Sequence, residues 1–173
     1  NGSMPLPPYI HERSSRPEDY QTVYAKDPRS AAAPTAGLHF TRDLLRKVAD
    51  RGVTIADITL EVGLGTFRPV KTEDIRRHHM HAERCLVPQN AYDKIVIAKK
   101  NGGRVVALGT TVVRTLEGMA ATSAGLHPGM LETDLFIYPG FEYKVVDALI
   151  TNFHLPKSTL MMLVAAFAGY DLT

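Results

Sequence analysis

A chain of 173 residues, 45% hydrophobic and 22% charged, can bury one substantial core, which excludes a disordered or fibrous polymer. Its formal charge of +2 admits a nucleic-acid partner without demanding one. The single Cys85 excludes an internal disulfide framework and fits a reducing, cytoplasmic setting.

In chain order, six of the eleven prolines fall at positions 5, 7, 8, 17, 28 and 34, so the opening segment is expected to be extended and held by docking. Thr41 offers an N-cap, Leu44, Leu45 and Val48 form a helical stripe, and Gly52 ends it. Ala56, Ile58, Leu60 and Val62 then alternate with Asp57, Thr59 and Glu61, the pattern of a half-exposed strand running into Gly63-Leu64-Gly65-Thr66. Positions Arg68 to Arg84 read as a polar, histidine-rich loop with a short helix. A second amphipathic helix is expected over Gln89–Lys100, with Ala91, Ile95 and Ala98 inward and Asn101-Gly102-Gly103 closing it.

A strand–turn–helix unit follows: Val105 to Leu108, Gly109-Thr110-Thr111, then Val112 to Ala121. Thr122 to Glu132 reads as a looser connection, and Leu135 to Tyr138 as a strand punctuated by Pro139-Gly140. Val145 to Ile150 has the composition of a buried strand, and Leu160 to Ala168 that of a buried helix. That apolar run is about half the length a bilayer span needs, so no membrane partner is expected. Strands alternating with helices predict an α/β fold, a layered α/β/α domain on a mixed sheet, as a single domain over 1–173.

Chemistry concentrates where strands end. Between Ile150 and Leu160 lies a polar knot containing Thr151, Asn152, His154, Lys157 and Ser158. These groups are costly to place near a core without partners. A strand that ends in them and turns into a helix N-terminus is where open α/β sheets bind ligands and anions. His154 reads either as an acid–base group or as a satisfied structural histidine. Thr110, Thr111 and Arg114 could hold a carboxylate or phosphate, Arg114 in a forked geometry; the alternative is a plain helix N-cap with a surface arginine. His39 sits in a run of small residues before a helix, and Glu61 on a polar strand face beside a glycine pair. His78, His79 and His81 lack a cysteine or paired-carboxylate partner at ligand spacing and stand among Arg76, Arg77 and Arg84, so no metal is expected. The same arginines could touch RNA phosphates, or form a solvated face. No Gly-x-Ser-x-Gly elbow surrounds Ser158, which disfavours a hydrolase.

Several longer stretches share one resemblance. Pro5 to Ile10, Tyr20 to Tyr24, Ala33-Pro34-Thr35-Ala36-Gly37-Leu38-His39-Phe40, Val62-Gly63-Leu64-Gly65-Thr66-Phe67-Arg68-Pro69-Val70, Met80 to Glu83, Gly109-Thr110-Thr111-Val112-Val113-Arg114-Thr115-Leu116-Glu117 and Phe136 to Gly140 together resemble the S-adenosylmethionine:tRNA ribosyltransferase-isomerases of queuosine biosynthesis. The resemblance implies transfer and isomerisation of the ribosyl group of S-adenosylmethionine onto 7-aminomethyl-7-deazaguanine at the tRNA wobble position. The products are epoxyqueuosine-tRNA, adenine and methionine. It implies tRNA and S-adenosylmethionine as partners and no metal or redox cofactor, because the sulfonium acidifies its neighbouring carbon and supplies the leaving group. On this reading His39, Glu61 and His154 are candidates for proton transfer. Thr110, Thr111 and Arg114 are candidates for the methionine carboxylate. Asn152, Lys157 and Ser158 are candidates for further substrate contacts, and Arg76, Arg77 and Arg84 for tRNA. The resemblance also implies a piece of a longer protein: a further N-terminal region with an inserted β-barrel and a C-terminal aromatic segment are expected outside it, and the full-length protein is expected to be monomeric. The alternative is a non-catalytic fragment that only binds S-adenosylmethionine or tRNA.

Overall fold

The computed structural model describes residues 20–26, 34–61, 80, 82–154, 156 and 158–169. A 3-10 turn over Thr35–His39 leads into helix α1, Arg42–Asp50, where the Thr41 hydroxyl accepts the Leu44 N–H at 3.1 Å as the expected cap. Then come strand β1 (Thr59–Glu61), strand β2 (Glu83–Val87), helix α2 (Gln89–Lys100), strand β3 (Val106–Leu108), helix α3 (Thr110–Ala120), strand β4 (Gly129–Thr133), strand β5 (Ala148–Ile150) and helix α4 (Thr159–Ala168).

Among the described residues the strands sort into two sheets. β1, β2 and β4 form an antiparallel sheet in that order, with Leu60 opposite Cys85 and Cys85 opposite Leu131. β3 and β5 pair in parallel, Leu108 opposite Ile150. The α/β class and the mixture of parallel and antiparallel pairing match the sequence reading, but the two modes occupy different sheets.

Helix α3 lies between them, packing on β4 and on β3. It is buried almost all round, from Val113 through Met119, as a helix in the middle of a core must be. Gly118 permits the approach to β4: a Cβ there would lie 2.6 Å from Thr133 Oγ1. Met119, Ile137 and Leu163 are the largest apolar side chains fully enclosed in this core, each contributing about 1.5–3 kcal/mol by burial. α4 is fastened by Tyr143, whose hydroxyl donates to the Leu163 carbonyl at 3.2 Å and whose ring meets Phe167 edge-on with centroids 4.9 Å apart.

Three elements differ from the sequence reading. Positions 83 and 84 belong to a strand and not to a loop with a short helix, because Glu83, Cys85 and Val87 point inward and are buried. The strand near position 135 is instead Gly129–Thr133, paired to β2, while Leu135–Tyr138 is irregular although Ile137 is buried. The long expected strand at 145–150 is regular only over its last three residues, because the backbone N–H groups of Val145 and Val146 bind a side chain in place of a neighbouring strand.

Candidate functional site

The parallel pairing of β3 and β5 brings two distant polar segments side by side. The Gly109 N–H donates to the Ile150 carbonyl at 2.9 Å, so both strands end at the same level. Gly109 then turns the chain into α3 with φ of +96°, a conformation that favours glycine. Among the described residues no side chain caps α3, so its first-turn N–H groups present the positive end of the helix dipole without a side-chain acceptor, beside the buried Thr110 and the half-buried Thr111. This is an anion-accepting arrangement at the carboxyl end of parallel strands.

From β5 the chain enters Thr151, Asn152, Phe153 and His154. The Thr151 hydroxyl lies 3.1 Å from His154 Nε2. Burial holds the His154 imidazole below its ordinary value, so it is neutral near pH 7. Asn152 reaches across to the 3-10 turn: its Nδ2 donates to Thr35 Oγ1 at 2.9 Å, and its Oδ1 lies 3.0 Å from His39 Nε2. Phe153, between these inward-bonded neighbours, is completely exposed. The 3-10 turn is held from behind by Thr22 and Tyr24. A Cβ on Gly37 would collide with the Tyr24 hydroxyl and come within 2.9 Å of Thr22 Cγ2.

The structure thus gathers His39, Asn152, His154, Thr110 and Thr111 at neighbouring strand and turn ends. Thr35 and Thr151 complete the hydrogen bonding; only the partner 117 positions away reveals the contact of Thr35 with Asn152. Arg114 requires a correction. Its side chain is 3% exposed, Nη1 lies 2.7 Å from Glu83 Oε2, and Nε donates to the Leu135 carbonyl at 3.0 Å. It is therefore neither a surface arginine nor a fork turned toward an incoming anion. One turn into α3 its side chain faces the antiparallel sheet.

Glu61 is exposed on β1, in the antiparallel sheet, opposite Arg84 in register; Arg84 in turn stands opposite Glu132. No hydrogen bond joins Glu61 to the histidines among the described residues. Arg84 is exposed, as an RNA contact requires, but flanked by carboxylates on both sides in the register. Ser158 caps α4, its Oγ accepting the Met161 N–H at 3.2 Å. Arg76, Arg77, Lys157, the glycine pair at 63 and 65 and the histidines at 78, 79 and 81 lie outside the described residues. Among the described residues, no three His, Cys, Asp or Glu side chains are grouped to hold a metal ion. An open groove of about 390 Å³ is lined by Val23 to Lys26, Arg42 and Leu45, and by none of the strand-end residues.

Sequence reasoning missed Glu117. Its carboxylate is 1% exposed and accepts three backbone N–H groups, those of Lys144 at 2.9 Å, Val145 at 2.9 Å and Val146 at 2.8 Å. It ties α3 to the segment that feeds β5 and so sets the two strand ends against each other. Its signals in the sequence were its place at the end of the Gly109–Glu117 stretch and its charge, shared within α3 only by Arg114.

Comparison with known proteins gives a consistent neighbourhood. The family described as "Queuosine biosynthesis protein" matches residues 1–173. A protein of Natranaerobius thermophilus named S-adenosylmethionine:tRNA ribosyltransferase-isomerase is 60% identical over 171 residues, 99% of this chain and 50% of its own length. One of Symbiobacterium thermophilum with the same name is 61% identical over the same shares. The crystal structure of S-adenosylmethionine tRNA ribosyltransferase from Thermotoga maritima superposes with a TM-score of 0.64 at 47% identity, covering 79% of this chain and 42% of that one. The chain spans about half the length of the curated relatives it matches.

Proposed function

The chain belongs to the queuosine biosynthesis protein family, and we propose that it carries the S-adenosylmethionine-handling part of a tRNA ribosyltransferase-isomerase. The reaction is transfer and isomerisation of the ribosyl group of S-adenosylmethionine onto 7-aminomethyl-7-deazaguanine at the tRNA wobble position, yielding epoxyqueuosine-tRNA with loss of adenine and methionine. One observation carries this reading: the uncapped start of α3 lies at the same strand level as the Thr35–Asn152–His39 network and the Thr151–His154 pair.

The uncapped N–H groups and the Thr110 and Thr111 hydroxyls suit the methionine carboxylate. A neutral imidazole, the form that burial gives His154, suits removal of the proton beside the sulfonium; His39, in the Asn152 network, is the other histidine candidate, while Glu61 lies apart on β1. Lys157 and Ser158 are assigned to further substrate contacts, and Arg76, Arg77 and Arg84 to tRNA phosphates. On this reading S-adenosylmethionine is a substrate, no metal or redox cofactor takes part, and the chain works in the cytoplasm as a single α/β domain of a monomeric protein. No helix among the described residues is long and apolar enough to cross a membrane.

A second reading, a fragment that binds S-adenosylmethionine or tRNA without turnover, draws on the open outer face of the parallel pair, where Val106 and Ile150 are 48% and 45% exposed. Parallel strands are ordinarily covered on both faces. The test is to incubate the chain with S-adenosylmethionine and tRNA carrying the deazaguanine precursor and to follow free adenine. Adenine released in proportion to modified tRNA supports transfer. Saturable binding of S-adenosylmethionine without adenine establishes the binding-only reading.

A further inference from the structure

We propose that Asn152 is a positioning residue for His39: anchored by Thr35, its side-chain amide fixes the imidazole as the Nε2–H tautomer and leaves Nδ1 as the proton-accepting atom. The inference rests on the strand-end reading above and adds which nitrogen acts and what holds it.

An asparagine side chain has one end that only donates and one that only accepts. Here the donating end is committed, since Nδ2 bonds Thr35 Oγ1 at 2.9 Å. The accepting end, Oδ1, therefore faces His39 Nε2 at 3.0 Å. A carbonyl oxygen cannot donate, so Nε2 carries the proton. In a neutral imidazole the other nitrogen then keeps its lone pair. His39 is exposed, and among the described residues nothing bonds its Nδ1. The basic nitrogen is thus the one free of these contacts, while the protonated one is held at the protein.

The choice of an amide has a chemical consequence. A carboxylate in the same place would also accept from Nε2–H, but its charge would favour the imidazolium and occupy Nδ1 with a proton near neutral pH. The amide orients the ring without placing a charge beside it. Thr35 and His39 lie four residues apart in one 3-10 turn, so a single side chain from the end of β5 grips both ends of that turn.

The test is nitrogen-15 NMR titration of the histidine side chains in the chain without substrates, His39 being assigned among the seven histidines by its loss in His39→Gln. The expected result is one neutral tautomer, protonated at Nε2 and bare at Nδ1. Asn152→Asp is expected to keep that tautomer and move the His39 midpoint up by about 1 unit. Thr35→Val, which frees the amide to rotate, is expected to mix the two tautomers. An Nδ1–H tautomer in the parent chain, or a midpoint unmoved in a folded Asn152→Asp chain, would overturn the proposal. This readout needs no turnover, so absence of adenine release would count against the transfer reading and not against the pairing.

Discussion

Arg114 Nη1 and Glu83 Oε2 lie 2.7 Å apart, and neither side chain is more than 5% exposed. The pair bridges α3 and β2 across the interior, and among the described residues Nη2 of Arg114 has no hydrogen-bond partner. A buried pair of this kind is expensive to break from one side, because the remaining charge keeps its desolvation penalty without its counter-charge.

Arg114→Met is therefore expected to cost about 3–5 kcal/mol in urea unfolding. Glu83→Leu combined with Arg114→Met should recover most of that loss. A single variant as stable as the parent would show that the ion pair contributes little to the fold.

Glu117 concentrates three backbone N–H groups on one carboxylate. Glu117→Gln replaces one acceptor oxygen by a donor facing those groups, and about 3 kcal/mol of stability should be lost. Amide exchange at Lys144, Val145 and Val146 should accelerate more than elsewhere. The same variant reports through Tyr143, whose phenol is pushed up to about 12 by burial and then by the Glu117 carboxylate. Its ultraviolet titration, isolated by subtraction of Tyr143→Phe, should move to lower pH.

Gly37→Ala should displace the Tyr24 ring, because the added Cβ meets the phenol hydroxyl and Thr22. A loss of about 1–3 kcal/mol is expected. Exchange should rise at the Gly37 and Phe40 N–H groups, which bond the Pro34 and Gly37 carbonyls within the turn that carries His39. Tyr24→Leu in the same chain should restore much of the protection; unchanged exchange in both would mean the contact does not hold the turn.

His154 makes stability depend on pH in a defined direction. Its folded value is depressed by burial below the ordinary 6.5. As pH falls through that window the unfolded chain takes up the proton first, so stability is lost below about pH 6.5 and levels off beneath the folded value. In His154→Gln this part of the slope should disappear from urea midpoints measured between pH 7.5 and 5, and a slope unchanged by the substitution would assign it to other groups.

The local grammar of the sequence determined the helices. Thr41 caps α1, Ala91 and Ile95 mark the inner stripe of α2, and the turn residues at 109 and the polar knot after Ile150 stand at the strand ends where sequence reasoning put them. These features depend on residues within a turn or two of one another, which periodicity and capping describe. The tertiary structure decided what depends on a distant partner. β2 and β4 carry too few consecutive apolar residues to announce themselves and exist by pairing Glu83–Val87 with Gly129–Thr133. Arg114 turned from an expected ligand group into half of a buried ion pair because Glu83 lies beneath α3, and no local pattern encodes that approach. His39 and Asn152 were each visible as candidates; that they touch across 113 positions follows only from the parallel register of β3 and β5 and the packing of Tyr24 on Gly37.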